Sequence, residues 1–119
     1  MQQEVIKVNL TTREIDGIGI IEPDGRIDSV EAANDLSNAL RKCVDEGKVK
    51  VVVNLGNVDY VNSSALGSLV SARKLIKERE GGGLKLARLQ PFVMEVFKKS
   101  QLIQMFDVVD TVEAAVKEF

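Results

Sequence analysis

The strongest strand signal along the chain is Val49–Leu55 (VKVVVNL), where Val51, Val52 and Val53 are apolar in succession. A strand with one wet face alternates, so an unbroken run predicts a strand buried on both faces of a parallel sheet. Helical patterns flank it. Ala33, Leu36, Leu40, Cys43 and Val44 recur at i, i+3, i+7, i+10 and i+11. They form one face of a helix that starts at the Asp28-Ser29 cap, runs to about Glu46 and is stopped by Gly47. After the strand, Leu66, Leu69, Val70, Ala72 and Ile76 make the apolar stripe of a second helix from Ser63 to about Glu80. Arg73, Lys74, Lys77, Glu78 and Arg79 lie mostly outside that stripe, and Gly81-Gly82-Gly83 ends the helix. Gly67, inside it, is expected to let the helix pack closely on the sheet, so that a bulky replacement overpacks the contact.

The N-terminal region reads as an antiparallel hairpin or meander. Val5–Leu10 begins as a strand, and Ile15–Ile21 is a second apolar stretch interrupted by Gly17 and Gly19. Asp16-Gly17 is a hairpin turn signal, Pro23-Asp24-Gly25 a further turn, and Arg26-Ile27-Asp28 a short strand after it. Towards the C-terminus, Leu84–Leu89 alternates as a strand. Pro91 opens a third helix to about Ser100, with Phe92, Val93, Val96 and Phe97 inward. Phe106–Val109 is a short extended piece, and Asp110-Thr111 caps a last helix to Phe119. The order β-β-α-β-α-β-α-(β)-α predicts an α/β fold, a mixed and mostly parallel β-sheet packed with about four α-helices. With no linker, repeat or low-complexity stretch, residues 1–119 read as a single domain.

Composition narrows the function classes. The 119 residues are 45% apolar and 29% charged, with net charge −2 and a pI near 5.2. That is no basic footprint for nucleic acid, and the one basic pair, Lys98-Lys99, suits a solvated helix end. No apolar run approaches the ~20 residues of a membrane helix, so no membrane insertion is expected. Met1-Gln2-Gln3-Glu4 does not open a secretory leader, and a lone cysteine forms no internal disulfide. A cytoplasmic protein is the expectation.

Catalytic chemistry has little to draw on. There is no histidine, hence neither the commonest general base nor the commonest metal ligand. Cys43 lies on an apolar helix face, as a small core residue would. Ser63 and Ser64 are not in a G-x-S-x-G elbow, and the triple glycine lacks the Lys-Ser/Thr of a phosphate-binding loop. Gly17-x-Gly19 lacks a third glycine. The expectation is a chain without metal or cofactor that is not an enzyme and acts by being bound.

What remains is the stretch Asn54–Gly67, in which a buried strand feeds a loop and then a helix through Asn62-Ser63-Ser64. In open α/β sheets, partners meet the carboxyl ends of strands and the helix starts that follow. A helix start carries unpaired N–H groups and the positive end of a dipole, so a phosphate on a serine there is tolerated. The plainer reading is that Asn62, Ser63 and Ser64 cap the helix. The two are compatible.

Over its full length the chain resembles the STAS domain (sulphate transporter and anti-sigma factor antagonist), and more narrowly the stand-alone bacterial anti-sigma factor antagonists. Their signature is a strand, a loop reading aromatic-x-Asp-Ser-Ser/Thr-Gly-Leu-Gly, then a helix. This chain has Tyr60-Val61-Asn62-Ser63-Ser64-Ala65-Leu66-Gly67. Gly25-Arg26-Ile27-Asp28 fits the family's segment before the first helix, and Phe106-Asp107-Val108 its late turn. Asn62 replaces the Asp, and Ala65 the first Gly. The resemblance implies phosphorylation at Ser63 by an anti-sigma factor with serine kinase activity. The unphosphorylated form would bind that factor and release the sigma factor, and a serine phosphatase would restore binding. Asn62, Ser63, Ser64 and Ala65 would form the contact surface, with Asp24 and Asp28 as neighbours, on a monomer or weak dimer. Other proteins of this kind are permanent subunits, of a lipid-transport ATPase or of a stress-sensing complex, and do not cycle. Nucleotide binding at the same loop is a third alternative.

Overall fold

A computed structural model describes residues 9–119. The first part of the expected opening strand, Val5–Val8, lies outside the described residues. β1 (Asn9–Ile15) and β2 (Ile18–Ile27) pair antiparallel across Asp16-Gly17. Both turn residues have positive φ, 53° and 81°. That is the two-residue type I′ geometry, whose twist matches that of the flanking strands. The hairpin stands where its turn signal put it, but Ile15 closes β1 and Ile18 opens β2. Thr11–Glu14 are strand residues without an apolar signal, because β1 is a sheet edge and its side chains are mostly exposed.

Pro23-Asp24-Gly25 is not a turn. β2 continues through it as a ten-residue strand that changes neighbours. Its Gly19–Ile21 part pairs parallel with β3 (Lys50–Asn54), and its Asp24–Ile27 part with β4 (Asn57–Val61). Pro23 falls in the gap between these two pairings, so its missing N–H breaks neither. β4 is a strand where the sequence suggested a loop. It is short, and its register slips at a bulge: Gly25 pairs with Val58, Arg26 with Tyr60, and Asp59 is the extra residue. β5 (Gly83–Ala87) pairs with β3 and β6 (Asp107–Val109) with β5, both parallel. The sheet order is β1-β2-β3-β5-β6, with β4 beside the end of β2. The mixed, mostly parallel sheet is as expected.

The helices are α1 (Val30–Asp45), α2 (Ser63–Lys77), α3 (Pro91–Lys99) and α4 (Val112–Lys117). Ile21, Val51, Val53 and Leu86 face α1, α2 and α3 in the larger core, which also holds Leu36, Leu40, Leu69, Ile76 and Phe97. Ile18, Ile20, Val52 and Ala87 face the opposite way and meet Val112 and Ala115 of α4. The three central valines are therefore buried on both faces. Cys43 is buried in the larger core, and burial pushes its thiol pKa up.

Three expectations change. α2 ends at Lys77 rather than Glu80, and Gly82 follows closely because a Cβ there would collide with the Ile76 carbonyl oxygen. Gly67 is exposed, and a Cβ added to it would meet nothing within 4 Å, so it is no packing contact. Phe92 points outward and is 52% exposed, since Val93 and Phe97, one turn apart, already fill the inward face of α3.

Candidate functional site

β4 reaches α2 through Asn62, an extended residue whose side-chain oxygen accepts from the Ala65 N–H at 2.8 Å. Its own N–H donates to the Ile27 carbonyl at 2.9 Å, tying the start of α2 to the end of β2. The cap is therefore Asn62, and Ser63 is the first helical residue. Ser63 is exposed, and its hydroxyl has no hydrogen-bond partner among the described residues. Ser64 is half-buried. Ala65 corrects the expectation of a contact residue: it is 0% exposed, because the third helical position turns into the core.

α1 starts beside α2. The parallel strands β2 and β4 each feed a helix at the same end of the sheet, and the Ser68 hydroxyl of α2 donates to the Ala33 carbonyl of α1 at 3.1 Å. Ser29 caps α1 by accepting from the Ala32 N–H at 3.0 Å. Two positive dipole ends thus open on the same surface, which suits an anion there. Asp28 lies in this cluster, exposed and paired with Arg26 at 3.3 Å. Asp24 does not join it. It stands opposite Asn57, four residues back along β2 and about 13 Å from Asp28 at the rise of an extended chain.

A polar clamp holds the turn that precedes β4. Buried Asn54 donates to Glu22 at 2.9 Å and accepts from the Gly56 N–H at 3.0 Å, while the Gln90 amide donates to the Gly56 carbonyl at 2.7 Å. Glu22 also receives Arg13 at 2.8 Å. The Arg13 hydrogen bond holds the Glu22 carboxyl below its ordinary pKa, aided by Asn54 and opposed by desolvation. The same bond raises Arg13.

Three residues beside the Asn62-Ser63-Ser64 turn were not singled out as contacts. Tyr60 carries the Arg26 guanidinium 4.7 Å from its ring centroid and stacks on Phe92 at 5.7 Å. The helical spacing of Val93 and Phe97 could have revealed that Phe92 was free to face outward. No cluster of three or more histidine, cysteine, aspartate or glutamate residues that could hold a metal occurs among the described residues, and no described helix is long and apolar enough to cross a membrane.

Residues 9–115 match the STAS domain family. The chain is a member of that family. Among its STAS relatives is BtrV of Bordetella bronchiseptica, provisionally named an anti-sigma factor antagonist, which is 35% identical over 112 residues covering 94% of this chain and 95% of that one. A solved structure from Thermotoga maritima, also provisionally named an anti-sigma factor antagonist, superposes with a TM-score of 0.83 at 23% identity, covering 92% of each chain. SpoIIAA, described as an anti-sigma factor antagonist, superposes in its unphosphorylated form with a TM-score of 0.69 at 15% identity, covering 92% of this chain and 96% of that one. In its phosphorylated form, from Bacillus, the TM-score is 0.71 at 17% identity, over 92% and 98%. At these identities the structural likeness establishes the STAS fold.

Proposed function

We propose that this chain is an anti-sigma factor antagonist whose affinity is set by phosphorylation of Ser63. Unmodified, it binds an anti-sigma factor with serine kinase activity and so frees a sigma factor; the phosphate ends the complex, and a serine phosphatase restores it. The observation that carries this reading is the division of labour at the start of α2. Asn62 does the capping, which leaves the adjacent Ser63 hydroxyl exposed and unengaged. The name of BtrV and the two forms of SpoIIAA support it. Asn62, Ser63, Ser64 and Asp28 form the contact surface, with Asp24 at its far edge and Ala65 packed beneath. In this reading residues 1–119 are one regulatory domain, a cytoplasmic monomer or weak dimer that needs no cofactor, does not touch nucleic acid and catalyses nothing itself.

The physics favours a local switch. A phosphoserine adds about −1.5 to −2 charges at neutral pH, which the two dipole ends accommodate in water. Inside an interface the same charge loses its hydration at an effective cost of several kcal/mol. A net loss of ~3 kcal/mol weakens affinity about a hundredfold.

The test is phosphorylation mapping and affinity with the cognate kinase. One phosphate is expected, on Ser63 and not Ser64. Ser63→Ala should resist the kinase and still bind. Because Ser63 is not the cap, this variant should melt within about 0.5 kcal/mol of the parent. Ser63→Asp should bind poorly and melt normally. Equal affinity of parent, Ser63→Asp and phosphorylated chain would remove the switch and leave a permanent subunit.

A further inference from the structure

Beyond the switch turn, the outward side of the β2–β4 ribbon carries Asp24, Arg26 and Asp28 on one strand, and Asn57, Asp59 and Tyr60 on the other. Arg26 joins Asp28 to Tyr60, and Tyr60 stacks on Phe92 of α3 with ring planes 18° apart. The result is one continuous strip: Asp28, Arg26, Tyr60, Phe92. It begins beside Asn62 and Ser63, and ends on a phenylalanine that is 52% exposed. Exposed large apolar side chains are few among the described residues; the others are Val30 and the less exposed Met105.

Four carboxylates, Asp24, Asp28, Asp59 and Glu95, stand around the strip against two cations, Arg26 within it and exposed Lys99 one turn beyond Glu95. Asp28 is paired with Arg26, but exposed Asp24 and Asp59 make no ion pair among the described residues. Glu95 is exposed and lies three residues after Phe92, hence on the same side of α3, and it too makes no ion pair among the described residues. An open aromatic ring with a negative face, in a surface where carboxylates outnumber cations, selects a cation. A guanidinium fits best, because it stacks flat on a ring and can pair with a carboxylate at its edge. Arg26 on Tyr60 already shows that geometry within the chain.

We infer that Phe92, with Glu95 on its side of α3 and Asp59 next to its stacking partner Tyr60, receives an arginine side chain of the same anti-sigma factor that reads Ser63, and that this contact sets which partner is chosen. The inference rests on the proposed function, and on the continuity of the strip with the switch turn. It makes α3 part of the recognition surface. Phosphorylation at Ser63 then governs whether the complex forms, while Phe92 governs with whom.

The probe is the purified anti-sigma factor that binds the parent chain. Its affinity is measured for Phe92→Leu, Phe92→Trp, Phe92→Lys and Asp59→Asn, with Ser63→Asp as a parallel control. Phe92→Leu should bind about tenfold more weakly, Phe92→Trp as well as the parent or better, and Phe92→Lys more weakly than Phe92→Leu. Asp59→Asn should lower affinity and flatten its salt dependence. All four should melt near the parent temperature, since both positions are exposed. If Phe92→Leu equals the parent, or Phe92→Lys binds no worse than Phe92→Leu, cation recognition is overturned even when Ser63→Asp loses binding. If Ser63→Asp binds like the parent, it is the switch that fails, and the order of the Phe92 variants still decides this contact. A self-associated parent that Phe92→Leu dissociates, with partner affinity unchanged, would assign the strip to a second copy and overturn the inference.

Discussion

On one face of the sheet, Ile21, Val51, Val53 and Leu86 lie beneath α1, α2 and α3, and the residues they meet are apolar. On the other, among the described residues, Ile20, Val52 and Ala87 meet one short helix, α4 of 6 residues, with Ile15, Val109 and Phe119 at the margins. Two polar side chains, Asn54 and Lys85, are buried in strands β3 and β5. Lys85 reaches out to Asp107 at 3.3 Å and to the Phe119 ring at 4.9 Å. Asn54 is turned to a positional task, holding the turn that leads to β4 and on to Asn62. The thick face supplies cohesion. The other side fixes the geometry of the turn into β4 with directional hydrogen bonds, which burial alone cannot specify.

The difference is testable by truncation. Phe97→Ala removes a fully buried ring that packs edge-on against Phe106, and should cost about 3–5 kcal/mol. Val112→Ala, a smaller truncation in α4 itself, should cost only about 1–2 kcal/mol. Urea denaturation of both variants measures this, and equal losses would mean that the two faces contribute alike.

Asn54→Ala attacks the clamp. It leaves the Gly56 N–H without its acceptor and Glu22 without one donor, so about 1–3 kcal/mol should be lost. Amide exchange should accelerate first at Gly56 and along β4, while α1 keeps its protection. Uniform acceleration over the whole chain would show that Asn54 supports the sheet generally and has no special hold on the turn.

This contrast also explains what the sequence made legible. Long amphipathic helices and the Val51–Val53 run announce the thick face, because burial leaves a periodic mark. The Asn62-Ser63-Ser64 turn was legible too, through its residue types and the family signature. The Thr11–Glu14 part of β1 and the whole of β4 were not: one is a polar edge, the other a bulged five-residue strand whose pairing with β2 depends on a distant segment. Asn54 reads as the last polar residue of a strand, and only the fold brings Glu22 and Gly56 to it. Phe92 departs from its expected inward place because four apolar residues in α3 read as one stripe, when Val93, Val96 and Phe97 suffice to fill it.

Gly67 gives a smaller test of the same lesson. The sequence suggested a close contact there, yet the position is open to solvent. Gly67→Ala should therefore stabilise α2 by about 0.5–1 kcal/mol, through lost backbone freedom in the unfolded chain and better helix propensity. A lower melting temperature would restore the packing contact.

The smallest effect concerns the ion pair at the edge of the clamp. Glu22 is depressed by its hydrogen bond from Arg13, so the folded state binds its proton less readily than the unfolded state. A depressed carboxylate contributes stability above its unfolded pKa and loses it as pH falls through the folded value. The relevant window therefore lies below the ordinary value of 4.5. Solvent screening keeps the effect small, because the Arg13 side chain is 49% exposed and that of Glu22 25%; about 0.5 kcal/mol is expected. Glu22→Gln should lower stability by that amount at pH 7, and the two chains should converge as the pH drops towards 3. In a chemical-denaturation series from pH 3 to 7, a gap that widens towards acid would reverse the sign, and would mean that Glu22 is strained rather than held by Arg13 and Asn54.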